Sequence, residues 1–146
     1  VPGDGRLTLA RERGIRYDIL VLDAFSSDAI PVHLLTREAF RLYLSLLAEH
    51  GVIALHISNE HLDLEPVVAA AGDELGLSSI VRRDFAIGPS ESAMGRSQSV
   101  WSVLARSPDD FGQLANAAGW EPLHRRADVR TWTDDFPNII RVFVRP

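Results

Sequence analysis

Apolar and polar positions along the chain fall into blocks whose period changes from segment to segment. "YDILVLD" (17–23) is an almost unbroken branched aliphatic run, apolar toward both faces, as a central parallel strand is. In "LTREAFRLYLSLLAEHG" (35–51) the spacing switches: Phe40, Tyr43, Leu44 and Leu47 recur at i, i+3, i+4 and i+7, the buried face of a helix. Thr36 is placed to cap it, Leu35 and Phe40 to form a hydrophobic staple, and Gly51 to end it. "GVIALHIS" (51–58) predicts a second buried strand. "EPVVAAAGDELG" (65–76) predicts a second long helix, with Pro66 near its first turn and Gly76 at its end. Ahead of these, "GDGRLTLARERG" (3–14) is a short helix with Asp4 as N-cap and Gly14 as stop. Two more strands, "SSIVRRDFAI" (78–87) and "SVWSVLARS" (99–107), flank the polar loop "GPSESAMGRSQ" (88–98). A short helix around "DDFGQLANAAG" (109–119) and a last strand "NIIRVFV" (138–144) complete the chain. The order αβαβαββ, with a strand pair late, predicts an open α/β sheet.

At 146 residues the chain is sized for a single domain, 1–146. Apolar residues at 46% and charged residues at 24% are ordinary for a soluble globular protein. The net charge, 15 − 20 = −5, offers no basic surface for nucleic acid. No apolar run approaches the roughly 20 residues of a membrane span, and no signal peptide is visible, so a cytoplasmic setting is expected. The chain starts at Val1 and not at Met, so it is expected to be a piece of something longer, with a partner segment, even a membrane one, outside it. There is no cysteine, which removes thiol nucleophiles, disulfides and cysteine zinc sites. All fifteen cationic side chains are arginine, which removes a P-loop lysine and Schiff-base chemistry.

In open α/β sheets ligands bind beyond the carboxyl ends of the strands. Asp23 closes the first strand, and His56, Ser58 and Asn59 close the second; as parallel neighbours the two strands turn these groups toward one crevice. Each also has a plain structural reading. Asp23 can cap a loop, Asp28 before "AIP" suits a turn, Asp4 suits an N-cap, and His56 suits a hydrogen-bonded strand end. His33, His50 and His61 lack ligand spacing, so no metal site is expected. "GRSQS" misses the G-x-S-x-G elbow of a serine hydrolase. "TWTDDF" (131–136), two acids beside Trp132 and Phe136, is either an acidic turn or a lid for a cationic ligand.

The segments "GDGR" (3–6), "YDILVLDAFSSDAIP" (17–31), "GVIALHISNEHLDL" (51–64) and "TWTDDF" together resemble the spermidine synthase (polyamine aminopropyltransferase) family. They are closest to its bacterial spermidine synthase-like branch, whose members are often fused to membrane segments. The resemblance implies the C-terminal part of a Rossmann-like, class I (SAM-dependent) methyltransferase fold, with a mostly parallel sheet and a late antiparallel strand pair. It implies that Asp4 with Gly5 contacts the adenine of decarboxylated S-adenosylmethionine. Asp23 and Asp28 become the catalytic acids and Ser26 and Ser27 the hydroxyls of the loop between them, with Ala24 and Phe25 inserted and Pro31 following on the cofactor side. His56 stands where the synthases carry a glutamine near the amine. Trp132, Asp134 and Asp135 become amine contacts.

The implied activity is aminopropyl transfer to a diamine such as putrescine, releasing methylthioadenosine, with no covalently bound cofactor. Paired acids suit it. An alkylamine with a pKa near ~10.4 arrives protonated, so one carboxylate orients it and relays its proton while others hold the distal ammonium. The family's glycine-rich loop and ribose-binding acid have no match, so the chain covers the C-terminal half alone. An exposed sheet edge is expected, covered by a second copy or by the missing N-terminal segment, and activity alone is expected to be absent or weak. Two other readings stay open: a methyltransferase-like enzyme using S-adenosylmethionine, and a non-catalytic polyamine-binding or assembly module.

Overall fold

The computed structural model describes residues 4–24, 32–59 and 61–144. Five strands form one sheet: β1 (Tyr17–Leu22), β2 (Leu47–His56), β3 (Ser78–Asp84), β4 (Ser99–Ala105) and β5 (Trp120–Pro122), in the order β1-β2-β4-β3-β5. β1 pairs with β2 in parallel, and β4 lies antiparallel between β2 and β3. The late strand pair is therefore antiparallel, as the sequence suggests, and its second member is inserted into the middle of the sheet. The short β5, which the sequence pattern did not single out, adds antiparallel to β3.

The helices follow local chemistry. Asp4 caps α1 (Gly5–Leu9) by accepting from the Leu7 amide, and Thr36 caps α2 (Arg37–Leu46) by accepting from Ala39. α3 (Glu65–Leu75) ends at Gly76, whose φ of 67° is the left-handed conformation a helix stop needs. Pro66 through Gly72 are all buried, because α3 is sandwiched between the sheet and the C-terminal segment carrying Val129 and Trp132. A five-residue helix, α4 (Pro89–Ala93), occupies the loop between β3 and β4.

Several expectations change. α1 ends at Leu9, short of Gly14, and among the described residues the β1–β2 pair alone is parallel, so the sheet is mixed and not mostly parallel. α2 ends at Leu46, not Gly51, because residues 47–50 are already extended. The Arg106 guanidinium takes up the carbonyls this leaves, Leu44 at 2.7 Å and Ala48 at 2.7 Å. Gly51 serves close approach instead: a Cβ there would lie 2.6 Å from the Tyr17 carbonyl oxygen, where the β1–β2 register shifts. The short helix expected around 109–119 is a 3-10 helix over Pro108–Asn116, kinked at Gly112. "NIIRVFV" is not a strand: Ile139–Val142 is a 3-10 turn, and Phe143 makes one isolated bridge to Leu62.

Packing separates the two faces of the sheet. Leu20, Leu22, Ile53 and Leu55 point toward α2 and α3 and join Phe40, Tyr43, Val67 and Trp132 in the main core. Ile80, Val103 and Ala105 turn to the other face, under Phe111. On that face Ile19 is 62% and Val21 56% exposed, and among the described residues no strand pairs with the free edge of β1. No helix among the described residues is long and apolar enough to cross a membrane.

Candidate functional site

The β1–β2 register places Leu22 opposite Leu55, so the next residues along, Asp23 and His56, meet side by side. Across β2, His56 is the register partner of Trp101 on β4. The imidazole stacks on the indole with ring centroids 4.8 Å apart and planes 14° from parallel. That contact fixes the ring plane and aims its two nitrogens in opposite directions. Nδ1 meets Asp23 Oδ1 at 2.7 Å, and Nε2 meets Ser58 Oγ at 2.8 Å. Ser58 lies two residues beyond His56 on the same extended path, hence on the same side, and its Oγ also accepts the Val100 N–H at 2.7 Å.

Proton placement follows from donor and acceptor capacity. An ionised carboxylate only accepts, so Nδ1 carries the proton toward Asp23. In the neutral ring Nε2 is then the acceptor and Ser58 donates to it. The result is a chain running from acid through imidazole to hydroxyl. Asp23 is 57% exposed at one end, while the His56 side chain is 17% exposed in the middle.

His56 and Ser58 form part of the wall of a crevice of about 910 Å³ beyond the β2 end. Asp63, Glu65, Phe85 and Val100 line it as well, and among the described residues no arginine does. Burial pushes the Asp63 carboxyl above its usual range, with Glu65 adding to the effect. Glu65 is held from outside the crevice by Arg83 at 2.6 Å, and Arg126 stands 3.8 Å from Asp63. Glu65 is thus committed to Arg83, and Asp63, with no arginine hydrogen-bonded to it among the described residues, is the acid that a partly apolar wall offers to a cation with a hydrocarbon stem.

A second cluster forms around α1. Arg6 makes a two-pronged ion pair with Asp134 at 2.7 and 2.6 Å, and the Thr36 hydroxyl donates to the same carboxylate at 2.7 Å. The Arg6 hydrogen bonds, seconded by Thr36, hold the Asp134 carboxyl down at about 2. Asp4 pairs with His33 Nε2 at 2.9 Å while capping α1. The Leu7 amide, ahead of His33, holds its carboxyl below the usual range.

The sequence-derived candidates therefore separate. Asp23 and His56 are brought together. Asp4 and Gly5 sit at the start of α1, beside His33 and Arg6. Asp134 is committed to Arg6 and Thr36, and Asp135 is exposed. Trp132 departs from its expected place among the amine contacts: at 1% exposure it belongs to the main core, and its ring faces protein on all sides. Ser26, Ser27, Asp28 and Pro31 lie outside the described residues. Sequence reasoning placed Ser58 at a strand end without assigning it a role, and it missed Trp101, Asp63 and Glu65. The signal for Ser58 was the two-residue spacing from His56; for Trp101 only strand pairing could supply it.

No family model matches the chain. The chain is similar to a polyamine aminopropyltransferase from Vibrio vulnificus (strain CMCP6), 42% identical over 53 residues. That match spans 35% of this chain and 18% of the relative. Among solved structures, a probable spermidine synthase from Corynebacterium glutamicum ATCC 13032 aligns over 94% of this chain and 55% of its own, with a TM-score of 0.55 and 13% identity. MNMC2 from Aquifex aeolicus aligns over 77% of this chain and 34% of its own, with a TM-score of 0.47 and 18% identity. The chain is similar to the spermidine synthase family over part of its length, and its mixed five-stranded sheet is of the Rossmann-like kind. It spans about half the length of the solved synthase chain and much less of the curated relative in the matched stretch.

Proposed function

We propose that the chain carries the amine-receiving part of an aminopropyltransferase, which moves an aminopropyl group from decarboxylated S-adenosylmethionine to a diamine such as putrescine. The observation that carries this reading is the Asp23–His56 pair at the ends of two parallel strands, 2.7 Å apart beside a crevice that Asp63 lines. The sequence similarity to a polyamine aminopropyltransferase agrees with it.

In this reaction the amine nitrogen attacks the methylene next to the sulfonium. The new N–C bond forms as the C–S bond breaks, the electron pair goes to sulfur, and methylthioadenosine leaves as a neutral thioether. One proton must leave the amine. Asp23 supplies the negative charge that favours its departure, with Asp28 as helper from the loop that follows. Asp63 attracts the dication and holds its distal ammonium, while Glu65 stays paired with Arg83. Asp4, Gly5 and Pro31 are assigned to binding the adenosyl group, and Ser26 and Ser27 to binding the amine.

This is half of a site. We propose that a preceding segment or a second copy of the chain covers the β1 edge with its exposed Ile19 and Val21, and completes the pocket for the adenosyl group.

The test is methylthioadenosine release from decarboxylated S-adenosylmethionine and putrescine, using the chain alone and the chain joined to its preceding sequence. Release that falls at least a hundredfold in Asp23→Asn is the expected result. Equal release by that variant would refute the role given to Asp23, and transfer of a methyl group from S-adenosylmethionine would replace the reading with methylation.

A further inference from the structure

The geometry points to Ser58 and His56 as groups that meet the reacting amine, with Asp23 acting through the imidazole; we propose that Asp23–His56–Ser58 is the proton relay of this site. This rests on the aminopropyl-transfer reading above and assigns its proton path. Three observations carry it. His56 and Ser58 both line the crevice. Both ring nitrogens of His56 are engaged, one on each side, at 2.7 and 2.8 Å. The stacked Trp101 and the Val100 N–H hold the ring and the hydroxyl in that alignment.

The hydroxyl has the capacity the role needs. Ser58 Oγ donates one hydrogen to Nε2 and accepts one from Val100, which leaves a lone pair for an amine N–H in the crevice. As the amine nitrogen attacks, its proton passes to Oγ, the serine hydrogen passes to Nε2, and the ring becomes an imidazolium beside the Asp23 carboxylate. Asp23 keeps its charge throughout; it orients the ring and stabilises the cation, and is a positioning residue. An imidazole is also the better acceptor by chemical class. Free imidazole titrates near ~6.5 and a free carboxylate near ~3.9, so the first lies closer to an alkylamine. Among the described residues, the groups in contact with this ring include Asp23 just beyond β1, Ser58 beyond β2 and Trp101 from β4, and His61, Asp63 and Glu65 line the same crevice.

The experiment is nitrogen-15 NMR of the histidine rings in the whole chain during titration with 1,4-diaminobutane, repeated in Ser58→Ala and Asp23→Ala. The expected ring is neutral and protonated at Nδ1. The diamine should shift its Nε2 resonance in the wild type and several-fold less in Ser58→Ala, and Asp23→Ala should lower the share of the Nδ1–H form. With decarboxylated S-adenosylmethionine added to the form that turns over, His56→Phe, which keeps the stack on Trp101 but removes both ring nitrogens, should lower kcat roughly a hundredfold. The amine KM should stay within about threefold, and the acid limb of the pH–rate profile should flatten. A ring protonated at Nε2 would overturn the relay, as would a diamine-saturated chain whose His56 nitrogens do not move; aminopropyl transfer would then still stand. A folded chain that takes up no diamine at all overturns both.

Discussion

Asp134 shows how one side chain answers to its partners and not to its motif. In "TWTDDF" it is one of two adjacent acids of equal promise, yet its carboxylate fastens the C-terminal segment to α1 and to the start of α2 through Arg6 and Thr36. Its folded-state pKa of about 2 lies below the ordinary 3.8. The pairing therefore stabilises the fold fully above the ordinary value, and that contribution is lost as pH falls from about 4 through about 2. With 43% of the side chain exposed, screening keeps the effect to about 0.5–1 kcal/mol at neutral pH. Asp134→Asn is expected to lower Tm by about 1–4 °C at pH 7 and by much less near pH 2, as followed by circular dichroism. An equal loss at both values would show that the charge contributes nothing. The companion acid, Asp135, is exposed, so Asp135→Asn should leave Tm unchanged. Nothing in the local sequence separates the two acids: the choice is made by Arg6, 128 positions away.

Elements were legible where their signal is local, and not where a distant contact sets their limits. β1, β3, β4 and α3 follow from apolar run length, from Pro66 and from Gly76, all of which act within a few residues. α2 was read too long because Leu47 still keeps the helical spacing. Its end is set by Arg106, which reaches Leu44 and Ala48 from far along the chain. "NIIRVFV" has the composition of a strand, but it has one bridge at Phe143 and no ladder to join, so it turns. At the site, Asp23 and His56 were legible because both end apolar runs. The use of Ser58 needed the register, and the burial of Trp132 needed the packing of α3. Gly51 allows a direct check on the reason for its presence. Gly51→Ala forces a methyl against the Tyr17 carbonyl and is expected to cost about 1–3 kcal/mol, lowering the urea midpoint with the slope unchanged. Gly5→Ala, where a Cβ meets nothing within 4 Å, should be neutral or slightly stabilising. Similar losses in both would remove the steric explanation.

At the scale of the molecule, the main core is complete on the α2–α3 face and the sheet is left uncovered near β1 on the other. Ile19 and Val21 are exposed on a strand whose outer edge, among the described residues, has no paired strand. The chain alone is expected to self-associate at micromolar concentrations in sedimentation velocity. Ile19→Glu with Val21→Glu should make it monomeric while shifting Tm by no more than about 2 °C. A wild-type chain that stays monomeric at all concentrations would place the unpaired surface elsewhere.

The crevice lined by Asp63 and the Asp23–His56 pair are both built within the described residues, so amine recognition should survive even where turnover does not. The most direct measurement is calorimetric titration of the folded chain with putrescine, in the presence and absence of methylthioadenosine. Saturable heat that weakens at least fivefold in Asp63→Asn, and again in Ser58→Ala, is the outcome expected of an amine-receiving site. A well-folded chain giving no heat with either ligand, or one binding putrescine equally well in both variants, would contradict it.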